Sequence, residues 1–364
     1  MPKFIVATLA AAMLAGSAML ASAQERVVNV YNWSDYIDNS ILEEFTKETG
    51  IKVVYDVFDS NEILETKLLA GGSGYDVVVP TASFLQRQIA AGVFQKLDKS
   101  KLPNLSNMWD VIMERTAKYD PGNEYAVDYM WGTTGIGYNV DKMKEILGTD
   151  AKPGWDVIFN PEIAAKFKDC GIHLLDSATD IMPSALAYLG LDPDSHKQAD
   201  LEKAADLLMK VRPYIRKFHS SEYINALANG DICLAVGFSG DIFQARDRAA
   251  EAKAGVTVDY SIPAQGAQMW FDMLAMPADA PHAAEAHEFI NFMMKPEVIA
   301  KASNYVFYAN GNKASQQFLD KEVIEDTAIY PSDEVMQKLF TTTPFEAKEQ
   351  RVLTRLWTKI VTGQ

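Results

Sequence analysis

The sequence predicts an α/β fold built as two strand–helix blocks, and three observations carry that expectation. β-rich segments alternate with amphipathic helical segments between residues 27 and 79, the alternation resumes between 171 and 276, and no long Gly/Ser linker parts the two stretches. Strands that alternate with helices imply a parallel sheet covered on both faces.

The first block opens with Val27-Val28-Asn29-Val30-Tyr31, a β-rich run. After the polar Asp38-Asn39-Ser40, the apolar residues Ile41, Leu42 and Phe45 recur at helical spacing, and Glu43 follows Ser40 by three as in a capping box. Gly50 ends this helix, and Ile51-Lys52-Val53-Val54-Tyr55 reads as a second strand. Residues 61–70 read as a helix stopped by Gly71-Gly72, and Tyr75-Asp76-Val77-Val78-Val79 as a strand ended by Pro80. In the second block Gly171 to Leu175, Ile232 to Val236 and Phe271 to Met276 read as strands, and Leu201 to Val211 as an amphipathic helix. Between the blocks, Gly132-Thr133-Thr134-Gly135-Ile136-Gly137 has the backbone freedom of a crossover or hinge, or of an ordinary Gly-containing turn.

The N-terminus carries an export signal, residues 1–23. Lys3 supplies the positive start, Phe4 to Leu20 an apolar, small-residue stretch, and Ala21-Ser22-Ala23 an A-x-A cleavage site. The stretch is too short and too rich in Ala and Gly for a membrane anchor. The mature protein is expected outside the cytoplasm, with a length that suits about two domains. The chain is acidic, with a formal net charge of −15, so it repels nucleic acid and anionic membranes and draws cations. Its two cysteines, Cys170 and Cys233, form either a disulfide in an oxidising compartment or two buried thiols. They are not a C-x-x-C redox pair.

In open α/β sheets ligands sit beyond the carboxyl ends of strands. Here those ends carry Asn32-Trp33-Ser34-Asp35-Tyr36, Pro80-Thr81-Ala82-Ser83, Asp176-Ser177-Ala178-Thr179-Asp180 and Gly237-Phe238-Ser239-Gly240-Asp241. Trp270-Phe271-Asp272 and Phe307-Tyr308 repeat the mixture of aromatics, carboxylates and hydroxyls. Carboxylates give charge-assisted hydrogen bonds to ammonium groups, and aromatic faces give cation–π contact and an apolar wall for methylenes. A linear diamine, with two charged ends and an apolar middle, needs both. An amino acid or betaine would need a cation for its carboxylate, and none of these loops supplies Arg or Lys.

Enzymatic readings fare worse. The five histidines show no metal-binding spacing, there is no Walker A sequence, and no G-x-G-x-x-G follows the first strand. Gly237-Phe238-Ser239-Gly240 misses a nucleophile elbow because Asp241 stands where glycine is required. A secreted carbohydrate-active hydrolase using paired carboxylates is the alternative from another class. Neither a metal nor a cofactor is expected.

Three strings are too long for chance. Tyr31-Asn32-Trp33-Ser34-Asp35-Tyr36-Ile37, Val53 to Glu62 and Tyr129 to Asn139 resemble the periplasmic putrescine/spermidine-binding proteins of ABC importers, and the resemblance runs in order through Val306-Phe307-Tyr308-Ala309-Asn310. It implies the two-lobed periplasmic-binding-protein fold of type II, in which the lobes close over a polyamine by a hinge motion. The expected lobes are 26–134 with 250–305, and 135–249 with 306–364. The resemblance implies ligand contacts from Trp33, Ser34, Asp35, Tyr36, Thr81, Ser83, Asp180, Phe238, Asp241, Trp270, Asp272 and Tyr308, with Asp241 and Asp272 gripping the amines. It also pairs Cys170 with Cys233, and implies a monomer that serves an inner-membrane ABC permease from the periplasm. Phe238 stands where Trp is common in the family. Trp270 stands where putrescine binders tend to have Phe and spermidine binders Trp, which leans the expectation to spermidine, although Ser34, Ser83 and Ser177 look like the putrescine type.

Overall fold

The computed structural model describes residues 26–364; the expected signal segment lies outside them. Among these residues nine strands form one sheet: β1 (Val27–Trp33), β2 (Lys52–Phe58), β3 (Val77–Val78), β4 (Ala126–Asn139), β5 (Ile172–Leu174), β6 (Ile215–Phe218), β7 (Leu234–Phe238), β8 (Val258–Ser261) and β9 (Gln268–Ala275). Their order is β2-β1-β3-β9-β4-β7-β5-β6, with β8 also paired to β4.

The parallel sheet expected from the alternation exists at both ends and is interrupted in the middle. β1 runs parallel to β2 and β3, and β5 runs parallel to β6 and β7. Between these triads β9 is antiparallel to β3 and β4, and β4 is antiparallel to β7 and β8. Helical crossovers build the parallel ends, whereas the two central strands carry the chain from one triad to the other.

β4 makes the crossover between the triads, but as a strand, which the sequence reading did not foresee. The Gly132–Gly137 segment is neither a turn nor a loop but the middle of a fully buried fourteen-residue strand. Its glycines are packing residues. A Cβ at Gly135 would strike Tyr260 and one at Gly137 would strike Ile242, so helix and strand approach only because both lack side chains. The N-terminal part of β4 pairs with β9 and its C-terminal part with β7 and β8. β8, at 258–261, therefore sits against Ile136–Asn139, residues that the expected lobe boundaries assign to the other lobe.

The first helices follow the sequence closely. Helix α1 (Asn39–Thr49) ends at Gly50 in the left-handed conformation, but its cap is Asp38, which accepts from the Ser40 amide, in place of the expected Ser40–Glu43 box. Helix α2 (Asn61–Ala70) is capped by the Ser60 hydroxyl, and α3 (Ala82–Ala90) follows β3. The Cys170–Cys233 disulfide is present and ties the segment before β5 to the start of β7.

Apolar residues form two cores. One gathers Val28, Val30, Phe45, Val127, Phe289 and Ile299, and the other Trp155, Phe159, Leu174, Leu208, Val236 and Phe243. Trp33 and Phe238 pack against both, which puts the carboxyl ends of β1 and β7 at the junction.

Candidate ligand-binding site

At that junction the structure brings together three carboxylates. Asp272 lies on β9, buried at 5% exposure, and accepts the hydroxyls of Tyr36 at 2.9 Å and Thr81 at 2.7 Å. Asp241 lies in the first turn of the helix Ser239–Glu251 and accepts the hydroxyls of Tyr223 at 2.6 Å and Tyr308 at 2.8 Å. Asp180 lies in the first turn of the helix Ala178–Tyr188 and accepts the hydroxyls of Ser177 at 2.5 Å and Thr134 at 3.2 Å. Two of the three thus sit at helix N-termini, where the backbone dipole favours negative charge.

Each carboxylate has two hydroxyl donors, and among the described residues none of the three makes an ion pair. Burial pushes the Asp180 and Asp241 carboxyls up to about 6 and Asp272 up to about 7, against the downward pull of the hydroxyls. Neighbouring charges add to this. Asp180 raises Asp272, Glu62 raises Asp180, and Asp35 raises Asp241, while Arg248 pulls Asp241 the other way. Behind them Asp128 on β4 is fully enclosed, and burial, then the Asp272 charge, hold its carboxyl well above the usual carboxylate range. Asp180, Asp241 and Asp272, partly or wholly desolvated and in no ion pair among the described residues, are the electrostatic complement of a cationic ligand.

Aromatic rings form the wall. Tyr36 meets Tyr308 edge to face at 5.3 Å, Tyr308 meets Trp270 at 5.3 Å, and Trp270 meets Phe238 at 5.6 Å. The Trp33 ring is fixed by its Nε1–H to the Val79 carbonyl at 2.9 Å and leans on Phe58 at 4.6 Å.

The sequence-predicted residues divide accordingly. Tyr36, Thr81, Phe238, Asp241, Trp270, Asp272 and Tyr308 are linked by these hydrogen bonds and ring contacts, whereas Asp180 joins them through its charge, which acts on Asp272. Trp33 stands at the end of the same strand that leads to Tyr36. Ser34 instead donates to Asp59 at 2.7 Å, and Asp35 is exposed, its backbone in the left-handed region at φ 54°. Ser83 lies in the first turn of α3 and makes no side-chain hydrogen bond to the three carboxylates among the described residues. Sequence reasoning missed Tyr223, Thr134 and Asn61. Asn61 clasps Thr81, donating from Nδ2 to its hydroxyl at 2.9 Å and accepting its amide at 3.0 Å. Nothing in a helical Tyr-Ile-Asn run or a Gly-Thr-Thr-Gly run separates such residues from ordinary packing; only their distance to an aspartate does.

The model of the bacterial extracellular solute-binding proteins matches residues 40–331. The chain is 55% identical to the putrescine-binding periplasmic protein SpuD of Pseudomonas aeruginosa, over 98% of both chains. It is 52% identical to the putrescine-binding periplasmic protein PotF of Escherichia coli, over 100% of this chain and 98% of that one. Among solved structures it resembles the spermidine/putrescine ABC transporter substrate-binding protein PotD of Streptococcus pneumoniae, with a TM-score of 0.78 and 30% identity over 93% of this chain and 99% of that one. The fold is thus the two-lobed fold of periplasmic binding proteins, and the chain belongs to the bacterial extracellular solute-binding protein family.

Proposed function

We propose that this protein captures a polyamine in the periplasm, putrescine in the first place, and delivers it to an inner-membrane ABC permease. The observation that carries this reading is a set of three carboxylates, Asp272 buried and Asp180 and Asp241 half-buried, each held by two hydroxyls and, among the described residues, none by an ion pair, beside a wall of aromatic rings. Asp241 and Asp272 take the two ammonium groups. Tyr36, Tyr308, Trp270, Phe238 and Trp33 cover the methylenes between them. Asp180 adds negative charge beside Asp272. The names of two relatives that share more than half their residues with this chain support the diamine over the triamine to which Trp270 alone leans. The division into lobes follows the sheet: β4 and β9 carry the crossing, and residues 250–267 go with the second lobe, supported by the pairing of β8 with the end of β4.

Thermal unfolding of the mature protein with putrescine, spermidine, arginine and glycine betaine tests the function. A ligand at 100 times its dissociation constant stabilises by about 2.7 kcal/mol, a shift of a few degrees. Stabilisation by polyamines alone is the expected result. A folded, ligand-free protein that no polyamine stabilises would overturn the reading.

A further inference from the structure

Gly132 sits directly across the β4–β9 ladder from Trp270. A Cβ built on Gly132 would stand 2.7 and 2.8 Å from the Cζ2 and Cη2 atoms of the Trp270 ring and 3.0 Å from the Ser239 hydroxyl. Carbon atoms do not approach that closely without displacing one another. The rest of the ring is enclosed too: Phe238 lies 5.6 Å and Tyr308 5.3 Å away, centre to centre. Tyr308 has no room to retreat, because its own ring lies against Gly240, where a Cβ would strike it. Unlike the capping Gly50, Gly132 does not have a left-handed backbone, so an L-residue is permitted there on conformational grounds.

We propose that Gly132 is a specificity-determining residue of the site: by lacking a side chain it lets the Trp270 ring sit deep against β4, and the depth of that ring sets the length of amine the site accepts. This rests on the reading of Trp270 as a wall of the polyamine site. A methyl group at 132 drives the indole off β4 toward Phe238 and Tyr308, into the space that the ligand's methylenes need. Phenylalanine at 270 is smaller than the indole and relieves the clash. Gly132 and Trp270 therefore act as a unit, and their effects on binding are non-additive.

The test is a double-mutant cycle. Putrescine and spermidine are titrated by calorimetry into the wild type, Gly132→Ala, Trp270→Phe and the Gly132→Ala/Trp270→Phe double variant. Gly132→Ala is expected to weaken binding of at least one of the two amines tenfold or more and to change their ratio. The double variant is expected to bind within about threefold of Trp270→Phe alone. Equal losses from Gly132→Ala in the Trp and Phe backgrounds would overturn the proposal, because a disturbance of β4 itself costs the same in both. If Gly132→Ala does not fold, a folded and binding double variant supports the proposal and an unfolded one overturns it. Failure of the underlying readings looks different: the wild type binds neither amine, or Trp270→Phe leaves both affinities and their ratio unchanged.

Discussion

The rings of Tyr36 and Tyr308 meet edge to face at 5.3 Å, and their hydroxyls go to different carboxylates, Tyr36 to Asp272 at 2.9 Å and Tyr308 to Asp241 at 2.8 Å. One aromatic contact thereby connects the two carboxylates to which the proposed function assigns the ammonium groups. The phenols stay protonated: burial, then the adjacent aspartate charge, raises both well above the ordinary tyrosine value.

Tyr36→Phe and Tyr308→Phe keep the ring contact and remove the donor. A hydrogen bond to a charged group contributes about 1.5–3 kcal/mol net, so each change is expected to weaken putrescine binding by roughly 10- to 100-fold near neutral pH. The pH at which affinity falls should also move upward, since the carboxylate loses a group that holds it ionised. Calorimetric titration across pH checks both; a weaker variant with an unmoved pH midpoint would mean that the ring, not the hydroxyl, matters.

Asp272→Asn and Asp241→Asn should separate binding from stability. Removing a charged partner is expected to cost roughly 10- to 1000-fold in affinity. The ligand-free protein should lose no stability and gain some for Asp272, because an enclosed charge without a cation is replaced by a neutral group of the same shape. Thermal unfolding without ligand, beside titration with it, is the measurement. Loss of stability together with binding would make these aspartates structural.

Local signals were legible where one strand end or one helix cap decides the outcome. α2 falls on its expected residues, and Gly50 closes α1 as read. The loops after β1 and β7 lie where a sheet would put a ligand site, because the rule depends only on strand direction. β4 was illegible for the opposite reason. Buried on both faces and rich in glycine, it shows no alternation, and Gly132, Gly135 and Gly137 are explained only by Trp270, Tyr260 and Ile242 arriving from elsewhere in the chain. The supporting donors Tyr223, Thr134 and Asn61 share this character, since each matters only through an aspartate or threonine distant in sequence.

The Cys170–Cys233 disulfide spans a sequence separation of 63 residues, for which loop-closure entropy gives about 4 kcal/mol. It lies at the N-terminal end of β7, whereas Phe238 and Asp241 lie at and beyond the other end. Replacing both cysteines by serine should therefore lower Tm by roughly 5–10 °C and leave putrescine affinity within a few-fold of wild type. Paired thermal unfolding and titration decide it, and a large loss of affinity at a temperature where the variant is folded would show that the bond also sets the site.

Binding and stability should respond to pH in opposite directions. Asp180 and Asp241 are raised to about 6 and Asp272 to about 7 in the free protein, by burial first. Carboxylates in an unfolded chain titrate near 4. Between about pH 4 and 7 the folded, ligand-free protein therefore binds more protons than the unfolded chain. Its stability from these groups rises as pH falls from about 7 toward 4, and declines again as pH climbs back through the folded values. A dication favours the ionised carboxylates, so it must expel the protons they hold, and affinity falls over the same descent. Near pH 6, putrescine binding should release protons, seen as a heat of binding that depends on the ionisation enthalpy of the buffer. Near pH 8.5, where all three aspartates are already ionised, that dependence should vanish. A buffer-independent heat at pH 6, with affinity flat from pH 8 to 5, would mean that these aspartates are ionised before the ligand arrives and that the hydroxyls outweigh burial.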